Sequence, residues 1–281
     1  RASDAAPVAQ TTISAATIDA MFLGQDPQYL LEKAAPSIIA YTEAGTNFSN
    51  YGSFRLRGID QTRINMTLNG VPLNDMIDQG VFFSNITDFT NSIRSVQVQR
   101  GVGASSNGTS SYGGSVNFES LNLRETKPGA EVQIGGGSFN LLRGSAEVRT
   151  GVMPNNVSIY AKYTTFSTDG YRDHSAATRE QTFVKITGRP DDVSKLTFVV
   201  NGLWQHNTQD PLGLSWSAAR TSPRSVDPLA LDYNTRKSID HLQGGVAYER
   251  RFGSDLLQVS AYAGQRSVIQ YQSIHKAFQT P

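Results

Sequence analysis

From about residue 129 the chain repeats one pattern: segments of roughly ten residues in which apolar or small side chains alternate with polar ones. In "LLRGSAEVRT" Leu142, Gly144, Ala146 and Val148 fall on one side of the period, and Arg143, Ser145, Glu147 and Arg149 on the other. In "NVSIYAKYTT" Val157, Ile159, Ala161 and Tyr163 alternate with Ser158, Tyr160, Lys162 and Thr164. The same split recurs from Leu196 to Trp204, from Leu242 to Tyr248 and from Leu257 to Ala263, and "AEVQIGGG" and "QTFVKITG" complete a set of seven. A period of two belongs to an extended strand, whose side chains point in turn to its two faces.

The connections sharpen the reading. "MPNN" (153–156), "PDDVS" (190–194) and "FGSD" (252–255) are tight turns, whereas 167–181 and 207–238 are long and polar. Only the first connection, at "GGSFN", is short where a long one is expected. Strands of about 9 to 11 residues with one dry and one polar face, joined by short turns at one end and long loops at the other, are expected of a β-barrel that crosses an outer membrane. The dry face then meets lipid and the polar face the lumen. A soluble sandwich also alternates, but it has no reason to segregate short and long connections. Tyr163, Phe166, Tyr171, Trp204, Phe252 and Tyr271, near the strand ends, suit interfacial girdles. In hydrocarbon an open sheet edge leaves backbone groups unpaired, and single-chain bacterial barrels use an even number of strands from about 8 upward. Seven strands are therefore expected to be the opening of a longer barrel.

Composition excludes several other classes. The sequence has no cysteine, which removes disulfides, thiolate metal sites and cysteine nucleophiles. A formal charge of +1 without a Lys/Arg block argues against nucleic acid as a partner. No apolar run reaches the roughly 18 residues of a transmembrane helix. His174, His206, His241 and His275 are scattered without metal-ligand spacing, so neither a metal nor another cofactor is expected. There is no G-x-S-x-G elbow, and no catalytic residue is assigned.

The first part of the chain reads as a separate mixed α/β unit, 1–125, ahead of the strand-bearing 126–281. Asp26 and Pro27 start a helix over 27–34, which Pro36 prevents from continuing. Strand-like runs follow at 53–59, 64–73, 92–101 and 114–120. Between the last two lies "RGVGASSNGTSSYGGSVNF" (100–118), with five glycines and five serines. Gly101 and Gly103 open a G-x-G, but the next glycine is Gly108 and no lysine follows, so this is not a phosphate loop. Small side chains there suit a segment that lies in a crowded, hydrated space and can shift.

In order, "LRGID" (56–60), "LNGVPLND" (68–75) and "SVQVQRGVGASSNGTSSYGGSVNF" (95–118) resemble the plug domain of TonB-dependent outer-membrane transporters over about residues 8–122. The strands after 129 look like the start of that family's 22-stranded barrel. The resemblance thus implies a mainly β protein: an α+β plug followed by antiparallel transmembrane strands of an incomplete barrel. The motif positions are Arg57, Gly58, Asn69, Gly70, Arg100, Gly101, Tyr112, Gly113 and Gly114. Asn69 stands where aspartate is usual, and Asn-Gly forms an equally good tight turn. Asn107-Gly108 replaces an aromatic-glycine pair. No energy-coupling box stands out near the N-terminus, "QTTISAA" (10–16) being too weak to claim.

What the resemblance implies about sites has two parts. Arg57 and Arg100 would pair with luminal Glu131, Glu147 and Glu249, or all of these would be solvated charges in a wet lumen. Asn47, Tyr51, Asp75, Asp78, Gln79, Phe82, Phe83 and Asn107 lie in or near the plug's outward apices and are ligand-contact candidates, Phe82 and Phe83 having packing against the barrel wall as the alternative. The implied function is non-enzymatic import across the outer membrane of a Gram-negative bacterium. Its implied partners are TonB with the inner-membrane energising complex, outer-membrane lipid and a scarce extracellular ligand. A ferric siderophore leads that class, with haem, cobalamin, saccharide or peptide, or a signalling receptor, as alternatives.

Overall fold

The computed structural model describes residues 9–22, 24–42, 52–75, 79–81, 83, 92–101, 112–208 and 214–272. The chain begins with strand β1 (Ala9–Ser14) and helix α1 (Ala15–Met21), where Ser14 caps the helix by accepting from Thr17 N. Helix α2 (Pro27–Ala34) follows with the expected bounds. Strands β2 (Ile38–Thr42), β3 (Gly52–Leu56) and β4 (Ile59–Asp60) form a small antiparallel sheet. Strands β5 (Ile64–Leu68), β6 (Val71–Pro72), β7 (Ile93–Arg100) and β8 (Gly114–Ser120) join β1 in a second sheet of order β1-β7-β8-β5-β6. Segment 10–16, weak as a coupling box, is thus the edge strand of this sheet and the first turn of α1.

The core of this unit lies between the sheets and the two helices. Ile18, Leu30, Leu31, Phe54, Leu56, Ile64, Met66, Val96, Val98, Val116 and Phe118 are all buried. The Asn69-Gly70 turn behaves as its sequence dictates: both residues have positive φ (51° and 84°), and they close the β5–β6 hairpin. Gly113 and Gly114 have a different reason. A Cβ on Gly114 would lie 2.5 Å from the Gln99 carbonyl oxygen and from Leu56, and one on Gly113 would lie 2.8 Å from the Arg63 oxygen. These glycines let β8 enter between β7 and β5. The second half of the Gly/Ser-rich stretch is therefore not a loosely held filler: β8 is paired on both sides and nearly all of it is buried. Residues 102–111 lie outside the described residues.

Seven antiparallel strands then follow in sequential order: β9 (Gly129–Gly137), β10 (Leu141–Arg149), β11 (Val157–Thr168), β12 (Ala177–Gly188), β13 (Ser194–Thr208), β14 (Arg236–Phe252) and β15 (Asp255–Tyr271). Their polarity is inverted relative to a soluble sheet. On β11 Ser158, Tyr160, Lys162 and Thr164 are buried against the first unit, while Tyr163 is exposed. On β10 Arg143 and Ser145 are buried and Leu142 and Val148 face out. The exposed apolar side chains continue through Leu196, Phe198, Leu242, Val246, Leu257 and Val259, the face expected to meet lipid. No strand joins the free edges of β9 and β15 among the described residues.

Three expectations change. Strands β13, β14 and β15 run to 15, 17 and 17 residues. Their pairing continues past the apolar band into stretches polar on both faces, such as His206, whose Nδ1 lies 2.9 Å from Ser238 Oγ, so hydrophobic periodicity ends before the hydrogen bonds do. The long connection before β14 carries two short helices, α3 (Trp216–Thr221) and α4 (Pro228–Asp232). Among the girdle aromatics, Phe166 points inward and is buried, and Tyr171 packs in a loop edge-on to Phe139 at 5.5 Å. Tyr163, Trp204, Phe252 and Tyr271 face outward as expected.

Candidate functional site

The polar face of strands β10 to β13 is buried beneath the first unit, and the contacts between the sheet and that unit form the candidate site. On β10 to β12 the contacts are ionic and buried. Asp26, in the linker from α1 to α2, is 1% exposed and its Oδ1 lies 3.4 Å from Nη1 of Arg179, which is 6% exposed. Asp26 occupies the N-cap position of α2 but makes no side-chain cap bond. Asp227, in the same Asp-Pro context, caps α4 by accepting from Leu229 N. The difference follows from the barrel wall, which claims the Asp26 carboxylate. Below this pair, Tyr160 Oη bridges Ser92 Oγ (3.0 Å) and Glu147 (2.9 Å). Lys185 donates to Ser120 Oγ at 2.7 Å and to the Leu121 carbonyl at 2.6 Å. Ser120 is also bound by Asn69, whose Nδ2 donates to Ser120 Oγ at 2.8 Å and whose Oδ1 accepts from Ser120 N at 3.1 Å. Asn69 therefore does more than shape a turn, since an aspartate there could not donate.

On β13 to β15 the packing is looser. The β5–β6 hairpin faces the wall across a cavity of about 60 Å³ lined by Leu68, Val71, Leu73, Val199 and the Gly244-Gly245 stretch of β14. The one ion pair between the first unit and these strands among the described residues joins Asp75 to Arg266 of β15 at 3.0 Å, with side chains 21% and 28% exposed.

Electrostatics inside the first unit follow burial. Tyr29 on α2 is held in its neutral form, its hydroxyl pushed up to about 12 by desolvation and by Asp26 and Glu32 nearby. Asp19 on α1 is raised by burial and by repulsion from Glu131 of β9.

Of the expected ligand contacts, Asp75 pairs with the wall. Gln79 N donates to the Asp75 carbonyl, and its own carbonyl accepts from Asn74. Phe83 is fully buried in the core against Phe54 and Phe118, with centroids at 5.8 and 6.3 Å, so it packs within the first unit and is not exposed to a ligand. Asn47, Tyr51, Asp78, Phe82 and Asn107 lie outside the described residues. Arg57 and Gly58, with φ of 52° and 80°, form the exposed β3–β4 turn. Arg100 donates to Ser37 Oγ at 3.1 Å and to Thr11, tying β7 to β1 and to the α2–β2 turn. Gly101 has a φ of 84°, and Tyr112 is exposed with Arg63 5.9 Å above its ring.

The expected ion pairs between these arginines and the strand glutamates do not form. Glu131 and Glu147 both pair with Arg149, at 3.6 and 3.3 Å, and Glu249 pairs with Lys195 at 3.1 Å. Neighbouring strands supply a cation before the first unit can. The pairs that do cross the interface among the described residues place the acid on the first unit and the arginine on the wall. Asp26, Arg179, Lys185 and Arg266 were not singled out by motif reading: of the three cations the alternation covered only Lys185, Arg179 falling in the expected connection 167–181 and Arg266 beyond the last alternating residue, Ala263, although both lie in strands.

The family model of the TonB-dependent receptor plug domain matches residues 2–115. Residues 2–115 thus carry a TonB-dependent receptor plug domain, and the chain has the fold of such a plug followed by opening barrel strands. Neither this family nor its fold is enzymatic. The unliganded ferric citrate transporter FecA superposes with a TM-score of 0.75 at 19% identity, over 96% of this chain and 41% of FecA. The ferric yersiniabactin uptake receptor FyuA from Yersinia pestis gives 0.70 at 15% identity, over 94% and 41%. The alcaligin outer membrane receptor FauA from Bordetella pertussis gives 0.70 at 16%, over 95% and 40%. The chain thus spans about two fifths of the receptors it matches.

Proposed function

We propose that this TonB-dependent receptor chain belongs to an active importer of the Gram-negative outer membrane, in which residues 1–125 are the plug and residues 126–281 begin the barrel. The observation that carries the reading is the inverted sheet: its dry face is exposed, and on β10 to β13 its polar face is buried beneath the plug. Such a sheet is stable with lipid on one side and a filled lumen on the other. A plug held by hydrogen bonds and ion pairs can be displaced without exposing a large apolar surface, as a gate requires. The ligand is proposed to be a ferric siderophore, which agrees with the ferric citrate, yersiniabactin and alcaligin receptors among the similar structures. Asn47, Tyr51, Asp78, Gln79, Phe82 and Asn107 are the proposed outward contacts, and TonB the proposed source of force.

The test is uptake of radiolabelled ferric siderophores by cells producing the full-length receptor, with and without an energised inner membrane. Uptake that collapses on de-energisation while surface binding persists supports the reading. Uptake that continues unchanged overturns it.

A further inference from the structure

The outward, dry face of the sheet ends on a charged cluster where β13, β14 and β15 approach their short turns. On β14 Tyr248 stands opposite Leu196 of β13 and Val259 of β15, and Arg250 stands opposite Ser194 and Leu257. Leu196, Leu257 and Val259 are exposed apolar side chains, so Arg250 is the first charged outward position of β14 past the dry band on the way to the turn. One nitrogen of Arg250 is turned back onto the protein. Its Nη1 donates to Ser194 Oγ at 3.2 Å and to Tyr248 Oη at 3.4 Å, and lies 3.5 Å from Asp191 Oδ2 in the "PDDVS" turn. The Arg250 Cζ lies 5.5 Å from the ring centroid of Phe252. Asp191 is held as well, since its Oδ1 accepts from Val193 N at 3.0 Å. The guanidinium is thus fixed but not spent. The Arg250 and Asp191 side chains are 40% and 46% exposed, and among the described residues Nε and Nη2 of Arg250 make no hydrogen bond. The other charges at this rim are acids, Asp192 in the same turn and Asp255 at the start of β15. Lys195 and Glu249 lie on the inward face and pair with each other at 3.1 Å.

We propose that Arg250 and Asp191 form a headgroup site for a zwitterionic glycerophospholipid of the phosphoethanolamine class. The phosphate lies on Nε and Nη2 of Arg250, the edge of a guanidinium that donates two parallel hydrogen bonds to an oxyanion. The ammonium lies on Asp191, and the acyl chains run along Leu196, Leu257 and Val259. One cation beside three acids disfavours a lipid with net negative charge and suits one that carries both signs. The inference rests on reading the sheet as an outer-membrane barrel, whose short turns face the periplasm. Arginine and tyrosine at the edge of an apolar band anchor a membrane-spanning element at its depth, and here they anchor the part of the wall against which the plug packs loosely.

The experiment uses the full-length receptor purified in detergent, stripped of lipid and titrated with dimyristoyl phosphatidylethanolamine or dimyristoyl phosphatidylglycerol, with bound lipids counted by native mass spectrometry. Wild type should bind phosphatidylethanolamine in preference to phosphatidylglycerol. Arg250→Gln should weaken that binding about fivefold, the weight of one exposed ion pair. Arg236→Gln, at the other end of β14, should leave it unchanged. Asp191→Asn keeps an oxygen to accept from Val193 N but removes the charge, and should shift the preference toward phosphatidylglycerol. Equal binding of the two lipids by wild type, or an Arg250→Gln variant that binds no more weakly than Arg236→Gln, overturns the proposal. If Arg250→Gln does not fold, the wild-type preference and its shift in Asp191→Asn decide, and a preference unmoved by that change overturns it. Neither measurement involves import, so the site can fail while energised uptake stands, and the reverse. A wild type that binds both lipids equally fails the site alone, whereas one that is absent from outer-membrane extracts and binds neither lipid fails the barrel reading with it.

Discussion

The two sides of the plug meet the barrel wall in different ways. On β10 to β12 the plug presents the α1–α2 linker and the end of β8, and the contacts are buried: Asp26 with Arg179, Tyr160 with Ser92, Lys185 with Ser120 and Leu121. On β13 to β15 it presents the β5–β6 hairpin, faced by a glycine pair, a cavity of about 60 Å³ and one partly exposed ion pair. An ion pair in water contributes little, whereas breaking a buried one strands a charge. The β10–β12 side is therefore the anchor, and the β13–β15 side is where the plug can leave the wall at least cost.

The anchor should yield the largest effects. Arg179→Ala takes the guanidinium away from the buried Asp26 carboxylate, and a loss of about 3 to 5 kcal/mol in plug stability is expected, as for other broken buried pairs. It would be read from the denaturant midpoint of plug unfolding in the full-length receptor. A loss comparable to that of an exposed pair would show that water reaches the pair and would erase the distinction between the two sides. Lys185→Met comes next. It removes two hydrogen bonds and leaves the Leu121 carbonyl short of a donor, with an expected cost of about 1 to 3 kcal/mol in the same measurement.

These anchors also show where sequence reading stops. The alternation in β10 to β12 is a local property, and it was enough to tell inward Arg143, Lys162 and Lys185 from outward Leu142, Ala161 and Val184. The helix over 27–34 was legible from Asp26 and Pro27, and the β5–β6 turn from Asn69 and Gly70. The partner of Asp26 was not, because it lies 153 residues away and depends on how the plug is seated in the lumen. Motif reading pointed instead to Arg57 and Arg100. Arg57 sits in an exposed turn, and Arg100 is spent on Ser37 and Thr11 within the plug. Phe83 shows the same limit from the other side: an aromatic in a polar stretch looks like a ligand contact until Phe54 and Phe118 are seen to enclose it.

Around the β5–β6 turn smaller effects are expected. Asn69→Asp exchanges a donor to Ser120 Oγ for a second charge close to Lys185, which donates to that same oxygen. The gain offsets the loss, and a net change within about 1 kcal/mol is expected. Combined with Lys185→Met, however, the aspartate loses its compensating cation. The double variant should then fall below the sum of the single ones by about 0.5 to 3 kcal/mol, the range of coupling between residues in contact. Strict additivity would mean that Asn69 serves only the turn.

Arg266→Ala is the smallest of the four. Its pair with Asp75 is partly exposed on both sides, so a loss of no more than about 1 kcal/mol is expected. Its value lies in the contrast with Arg179→Ala, since each variant removes one arginine from one plug–barrel ion pair. Both replacements delete the same atoms, so the ratio of the two losses reports burial rather than side-chain chemistry. If Arg266→Ala costs as much as Arg179→Ala, the hairpin is fastened as firmly as the linker, and the plug has no weak side from which to open.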